Sequence, residues 1–338
     1  MSSPIRFCVP DDHPPVYQDF PEDLDPLRER GEVTVFTSRQ DSPEELITRL
    51  TGVTALVNVR AYSIFDARTL DALPDLEMIS VLGTGTDNID LAAASARGVA
   101  VANAPGANAV SVAEHTMLLL LAAARHLGKV DRAMHEGRWE HHLGMELRGR
   151  TLGLLGLGAI GREVAGMARG FGMRVVGWSF RHDPDRAREV GVELLERDEV
   201  IRQADALSLH LRLTPETEHI IGERELGMMK RGALLVNTAR AALVDEAALI
   251  DAVRRGQLAA VGLDVFAPEP LPADSPLRDL ENAVLTPHLA WVTEAASARL
   301  RRVPVDNILA YLDGQPRNVV NATALNHPRP RSASGGRS

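Results

Sequence analysis

A chain of 338 residues is long for one hydrophobic core and is expected to form about two domains. Its net charge of −9, without a long basic run, excludes a nucleic-acid surface or an anionic-membrane surface as its main binding face. The single cysteine, Cys8, excludes an internal disulfide, fits a reducing compartment and, within an apolar run, reads as core.

The N-terminal stretch MSSPIRFCVP lacks the apolar core of a signal peptide, and no run reaches the roughly 18 apolar residues of a membrane span. The expectation is a soluble, cytoplasmic protein with no membrane partner, and no spacing of His, Cys, Asp and Glu suggests a metal site. Short apolar runs at Ile5 to Val9, Val33 to Phe36, Ala55 to Val59, Met78 to Leu82 and Val99 to Ala102 read as strands. Helical patterning covers Pro43 to Leu50, Ser63 to Leu73 and Leu91 to Arg97, so the first hundred residues form a small α/β unit. Ligands bind beyond the carboxyl ends of such strands, which makes the loops Arg60-Ala61-Tyr62 and Gly83 to Asn88 candidates for holding a substrate.

Ser111-x-x-Glu114 then reads as a capping box opening one long buried helix that runs to Leu127. Gly128 to Arg150 is polar and reads as a solvated arm or a subunit contact, with His135, His141 and His142 as surface residues. The stretch from Thr151 to Arg181 organises the remainder. An apolar strand, Leu152 to Leu155, stops at Gly156-x-Gly158-x-x-Gly161, and apolar positions Ile160, Val164, Ala165, Ala168 and Phe171 follow at helical spacing. Gly156 permits the turn, Gly158 lets backbone approach a pyrophosphate and Gly161 lets the helix lie close on the strand. Unpaired N–H groups around Ala159 and Ile160 open the helix, where phosphates bind. The next strand, Arg174 to Trp178, completes the unit of a dinucleotide-binding domain.

Further strands at Ala206 to Leu209, Ala233 to Val236, Ala259 to Leu263 and Ala283 to Leu285 give six in a doubly wound sheet, with helices at Asp198 to Gln203 and Asp245 to Arg255. Thr293 to Leu312 reads as a final helix, and the Pro-, Arg-, Ser- and Gly-rich segment after it, 326 to 338, as a disordered tail. Three chemistry-bearing residues sit just past strand ends: Arg240 in LLVNTAR, Glu269 in LDVFAPEP and His288 in VLTPHLAW. An imidazole carries protons near neutrality, a carboxylate orients it, and an arginine holds a carboxylate while polarising the neighbouring carbonyl.

The order GLGAIG, LVNTAR, LDVFAPEP and TPH, with GTGTDNID and NAPGANAVSVAEH, resembles the D-isomer-specific 2-hydroxyacid dehydrogenases from about Ile5 to Asn321. The resemblance implies an α/β fold with a doubly wound (Rossmann) cofactor domain, 104–290, and a smaller discontinuous flavodoxin-like substrate domain, 1–103 with 291–325. It implies a nicotinamide cofactor, a small 2-oxo or 2-hydroxy acid as partner, and a homodimer formed through the cofactor domains, with Trp139 as its anchor. Arg240 then binds the carboxylate and carbonyl oxygen, and His288, paired with Glu269, carries the proton as hydride reaches C2. Asp264 matches a residue contacting the nicotinamide carboxamide, and His210, Thr217 and Thr238 fall among the cofactor-side positions. Gly83 to Gly85, including Thr84, match the substrate-carboxylate loop, and Asn108 and Arg60 match positions on the substrate side.

Three departures leave the reaction class intact and bear on substrate identity: Ala241 follows the arginine where glycine is common, Leu-Ala-Trp291 follows His288, and Arg212 stands where proline is usual. Alternatives remain: a formate, phosphite or phosphonate donor, or a dinucleotide-sensing corepressor. The chain ends soon after its last helix, which weakens a reading as a long phosphoglycerate dehydrogenase. The cofactor loop carries Ser179 where an acidic residue would repel a 2′-phosphate, with Arg181 two residues on, and so favours NADP over NAD. Against this, Asp183 is close enough to serve as a displaced ribose acceptor, and Arg181 and His182 also fit solvated loop residues.

Overall fold

The computed structural model describes residues 4–13, 15–59 and 62–326. They fall into two compact units, one built from residues up to Asn108 together with those from Glu294 onward, the other from Ala109–Thr293.

In the first unit, β1 (Ile5–Val9), β2 (Gly31–Val35), β3 (Ala55–Asn58), β4 (Met78–Val81) and β5 (Ala100–Ala102) form a parallel sheet in the flavodoxin-like order β2-β1-β3-β4-β5. The connecting helices are α1 (Asp25–Arg28), α2 (Pro43–Leu50), α3 (Ala67–Asp71) and α4 (Leu91–Ala96). β3, β4 and β5 are buried at every position, which is why they read as continuous apolar runs rather than alternating ones. Ser42, Asp66 and Asp90 each accept the N–H three residues on, caps that contribute about 1 kcal/mol apiece. The helix expected over Ser63 to Leu73 shortens to α3 because Phe65 bridges Ile89 and the Asn88 side chain holds the Ser63 carbonyl. Asp66 can only start the helix after that. The C-terminal helix, Glu294–Leu312, is tied to this unit by buried Asn307, which donates to the Asn103 carbonyl at 3.0 Å.

In the second unit, β6 (Thr151–Leu155), β7 (Arg174–Trp178), β8 (Glu193–Leu194), β9 (Ala206–Leu209), β10 (Ala233–Asn237), β11 (Leu258–Leu263) and β12 (Ala283–Leu285) form a parallel sheet in the order β12-β11-β10-β9-β6-β7-β8. It has seven strands rather than six, since the two-residue β8 is too short to leave a pattern. Its helices are α5 (Ala109–Ala124), α6 (Leu127–His135), α7 (Ala159–Gly170), α8 (Pro184–Glu189), α9 (Arg197–Gln203), α10 (Glu223–Met228) and α11 (Glu246–Arg254). Leu152, Leu154, Val164, Ala165 and Ala168 seat α7 on the sheet, each larger side chain contributing about 1.5–3 kcal/mol. Phe171, expected on that stripe, is instead exposed at the helix C-terminus.

Two expectations around α5 are corrected. The helix begins at Ala109, so Ser111 lies inside it with its hydroxyl donating to the Ala290 carbonyl at 2.8 Å, and no capping box forms. The helix also stops at Ala124: His126 takes a left-handed conformation (φ 53°) and α6 begins, so part of the expected arm is helical. Among the described residues no helix is long and apolar enough to cross a membrane. The expected tail beyond Asn326 lies outside the described residues.

Candidate active site

The glycine loop leaves β6 at the point where strand order reverses, with β7 on one side and β9 on the other. Gly156 has φ +104°, and a Cβ there would collide with the His210 carbonyl; at Gly161 a Cβ would collide with the Gly156 carbonyl. At Gly158 nothing lies within 4 Å of the Cβ position. That open space at the N-terminus of α7, where Ala159 and Ile160 begin the helix, is the room a pyrophosphate requires, so the residues fit a dinucleotide. At the end of β7, a pocket of about 480 Å³ is lined by Trp178, Phe180, Glu196, Arg197, Asp198, Glu216 and Ile220.

The loops past β11 and β12 bring Glu269 and His288 together. Glu269 Oε2 lies 2.8 Å from His288 Nδ1, while Oε1 accepts the Phe266 N–H at 3.0 Å. Nδ1–H therefore donates to the carboxylate, and Nε2, without a hydrogen bond among the described residues, is left to carry a proton. The pair stays partly open, with side-chain exposures of 40% for His288 and 28% for Glu269. Burial pushes the Glu269 carboxyl up, but the hydrogen bond and charge of His288, the Phe266 N–H and the Arg240 charge outweigh it and hold it below the usual glutamate range. His288 sits in the left-handed region (φ 51°), a strained position for a residue with a Cβ.

Arg240 follows β10 in a turn closed by Asn237, whose side chain accepts from Ala239 N–H at 3.0 Å and donates to the Arg240 carbonyl at 2.8 Å. The Ala241 departure is harmless: it opens a 3-10 turn and is not among the left-handed residues, so no glycine is required. Of the cofactor-side residues, Thr217 is buried with its hydroxyl donated to the Arg212 carbonyl, and Thr238 bonds Thr116 at 2.9 Å. His210 pairs with Ser208 at 2.9 Å, and burial of its ring pushes it down to about 4. Asp264 is fully buried, and both its oxygens accept internal bonds, from Thr286 Oγ1 (2.6 Å), Leu289 N (3.0 Å) and Ala290 N (2.9 Å). Ser179 is half-buried after β7, Arg181 is exposed, and Asp183 is engaged in capping α8 through Arg186 N–H. Trp291 is half-buried three residues beyond His288.

In the first unit, the loop after β4 is clamped by Asn103, which donates to the Thr84 carbonyl at 2.8 Å, and by Ala104 N–H to Gly83 at 2.7 Å. The backbone N–H groups of Thr84, Gly85 and Thr86 have no acceptor among the described residues, leaving a short row of donors. Tyr62 is half-exposed, with the Arg39 guanidinium 3.5 Å from its ring centre, and the Asn108 side-chain oxygen is buried without a hydrogen-bond partner. Arg60 lies outside the described residues. In the second unit, His115, Thr116 and Thr286, which carry no assigned role in the sequence, lie directly behind the loops that hold Arg240 and His288. The motifs containing them, AEHT and TPH, were the available signal.

The profile of the D-isomer specific 2-hydroxyacid dehydrogenase, NAD binding domain, matches residues 117–290. The chain is 40% identical over 308 residues to a D-3-phosphoglycerate dehydrogenase of Archaeoglobus fulgidus, covering 90% of this chain and 58% of that longer protein. It is 38% identical over 322 residues to a glyoxylate reductase of Aeropyrum pernix, covering 92% and 96% of the two chains. A solved glyoxylate reductase from Paecilomyes thermophila superposes with a TM-score of 0.86 at 31% identity, covering 95% of this chain and 99% of that one. With its two parallel sheets, its glycine loop and these relatives, the chain belongs to the D-isomer specific 2-hydroxyacid dehydrogenase family.

Proposed function

We propose that this protein interconverts a small 2-oxo acid and its D-2-hydroxy acid with a nicotinamide cofactor. The observation that carries the reading is the 2.8 Å pairing of His288 with Glu269, which makes Nδ1 the donor to the carboxylate and leaves Nε2, without a hydrogen bond among the described residues, to carry the proton. A dinucleotide held at the glycine loop would supply the hydride that reduces C2. In that direction Arg240 draws electron density toward the carbonyl oxygen, and His288 Nε2 delivers the proton there. Glu269 balances the charge of the imidazolium, and His288 regains its proton from water. The donor row at Thr84 to Thr86 is assigned to an anionic group of the acid.

The cofactor preference is read as NADP. Asp183, the alternative ribose acceptor, is engaged at the α8 cap. Arg181 makes no ion pair among the described residues, so its charge is available to a 2′-phosphate. The cavity beside Trp178 and Phe180 is assigned to the adenine. A homodimer is proposed through the second unit, where Trp139 (78% exposed) and Leu143 (98%) present apolar side chains to solvent.

Oxidation of reduced nicotinamide is to be followed with glyoxylate, hydroxypyruvate, pyruvate and larger 2-oxo acids, alongside formate and phosphite with the oxidised cofactor. The expected result is turnover of at least one 2-oxo acid, reduced roughly 10²–10⁴-fold in His288→Ala with cofactor affinity retained. Turnover of formate or phosphite alone, or of nothing, would refute the substrate class.

A further inference from the structure

The loops carrying Arg240, Glu269 and His288 follow three adjacent strands, β10, β11 and β12, and one helix lies behind them with polar groups aimed inward. Most of α5 is apolar: Val112, Ala113, Met117, Leu119 and Leu120 are buried. Burying a polar side chain among these costs free energy unless it is hydrogen-bonded. Its inward polar residues each meet a catalytic loop: Ser111 donates to the Ala290 carbonyl, His115 Nε2 lies 2.9 Å from Thr286 Oγ1, and Thr116 Oγ1 lies 2.9 Å from Thr238 Oγ1. We propose that His115 and Thr116 are positioning residues, His115 acting on the proton carrier His288 and Thr116 on the substrate-binding Arg240. This rests on the roles proposed above for those two residues.

The proton positions define both links. Thr286 has one hydroxyl hydrogen, and it goes to Asp264 Oδ1 at 2.6 Å, so His115 must donate its Nε2–H to Thr286. Asp264 in turn accepts the N–H groups of Leu289 and Ala290, the two residues after His288, and His288 N–H reaches back to the Thr286 carbonyl. A left-handed non-glycine backbone persists only where its surroundings over-determine it, and the chain His115–Thr286–Asp264 supplies that determination on both sides of His288. Thr116 gives its hydrogen to the Val112 carbonyl at 2.7 Å, so Thr238 donates to Thr116 and is held in one rotamer two residues before Arg240.

The two links act on different steps, which separates positioning from general stability. His115→Leu and Thr286→Val each cut the first link, and both are expected to lower kcat about 10- to 100-fold and raise the solvent deuterium isotope effect on kcat, with KM for the 2-oxo acid within about threefold. His115→Gln keeps a terminal N–H donor and recovers most of the loss. Thr116→Val is expected to raise KM for the 2-oxo acid about tenfold with a smaller change in kcat. Circular dichroism and thermal melting confirm which variants are folded, and Thr286→Val, nearly isosteric, serves if His115→Leu does not fold. Among folded variants this split, with rescue by glutamine, supports the proposal, and any other pattern overturns it. His288→Ala and Arg240→Ala are run beside them: if these match the parent, the proposed reaction roles fail. If they collapse while the α5 variants match the parent, only the positioning proposal fails.

Discussion

Glu269→Gln is the sharpest single perturbation, because it removes a charge while leaving the loop in place. Oε1 still accepts the Phe266 N–H, and only the ionic partner of His288 Nδ1, 2.8 Å away, is lost. A unit-charge pair at that separation is worth about 1.5 kcal/mol in bulk water and about 6 kcal/mol at an effective dielectric near 20. Both side chains are partly exposed, which puts the pair toward the watery end of that range, at about 1.5–3 kcal/mol. At about 1.4 kcal/mol per tenfold, kcat should fall roughly 10- to 150-fold in both directions. The dissociation constant for the dinucleotide, followed by nicotinamide fluorescence, should change little. A variant within threefold of the parent in kcat, or one losing activity and cofactor affinity together, would refute the role given to the carboxylate. The depressed Glu269 carboxyl also sets the parent's acid behaviour. Its ionic support is complete above the ordinary glutamate value of 4.5 and is lost only as pH falls through the lower folded value.

Ser179→Asp should shift preference toward NAD, and Arg181→Ala should weaken NADP with little effect on NAD, as compared by kcat/KM; equal loss with both cofactors would contradict the loop reading. His210, pushed down to about 4 from 6.5, stays neutral in the folded chain while the unfolded chain takes up a proton, so stability rises with pH across that window. Up to about 3 kcal/mol should be lost on going from the upper to the lower value, and His210→Gln should lack that part of the slope in urea titrations at matched pH. An identical pH slope in parent and variant would show that the ring is not buried as described. Light scattering should give a dimer at micromolar concentration, weakened in Trp139→Ser; a monomeric parent would remove the subunit contact from the account.

Much of the fold was legible because parallel strands buried on both faces leave continuous apolar runs, as in β6 and β10. The glycine loop was legible because Gly156 and Gly161 answer local steric needs, while Gly158 leaves the helix N-terminus open. What failed was decided at long range. Ser111 has the spacing of a capping box, yet its hydroxyl goes to Ala290, 179 residues away. His115 and Thr116 find their partners 171 and 122 residues away, so the motif AEHT flags them without saying what they touch. The break at His126 rests on a left-handed backbone that its residue type does not announce, and β8, two residues long, is too short to leave a pattern. Arg240, Glu269 and His288 were singled out by their place at strand ends, whereas the pairing of His288 Nδ1 with the Glu269 carboxylate came only with the geometry.

The proposed reaction is hydride transfer to C2 of a 2-oxo acid with protonation by His288. It is tested most directly by supplying nicotinamide cofactor deuterated at the transferring carbon together with the best 2-oxo acid, then examining the product by proton NMR and chiral chromatography. The account predicts a 2-hydroxy acid carrying deuterium at C2, of D configuration, formed by the parent and nearly absent with His288→Ala. Deuterium elsewhere, an L product, or equal yield from the variant would contradict it.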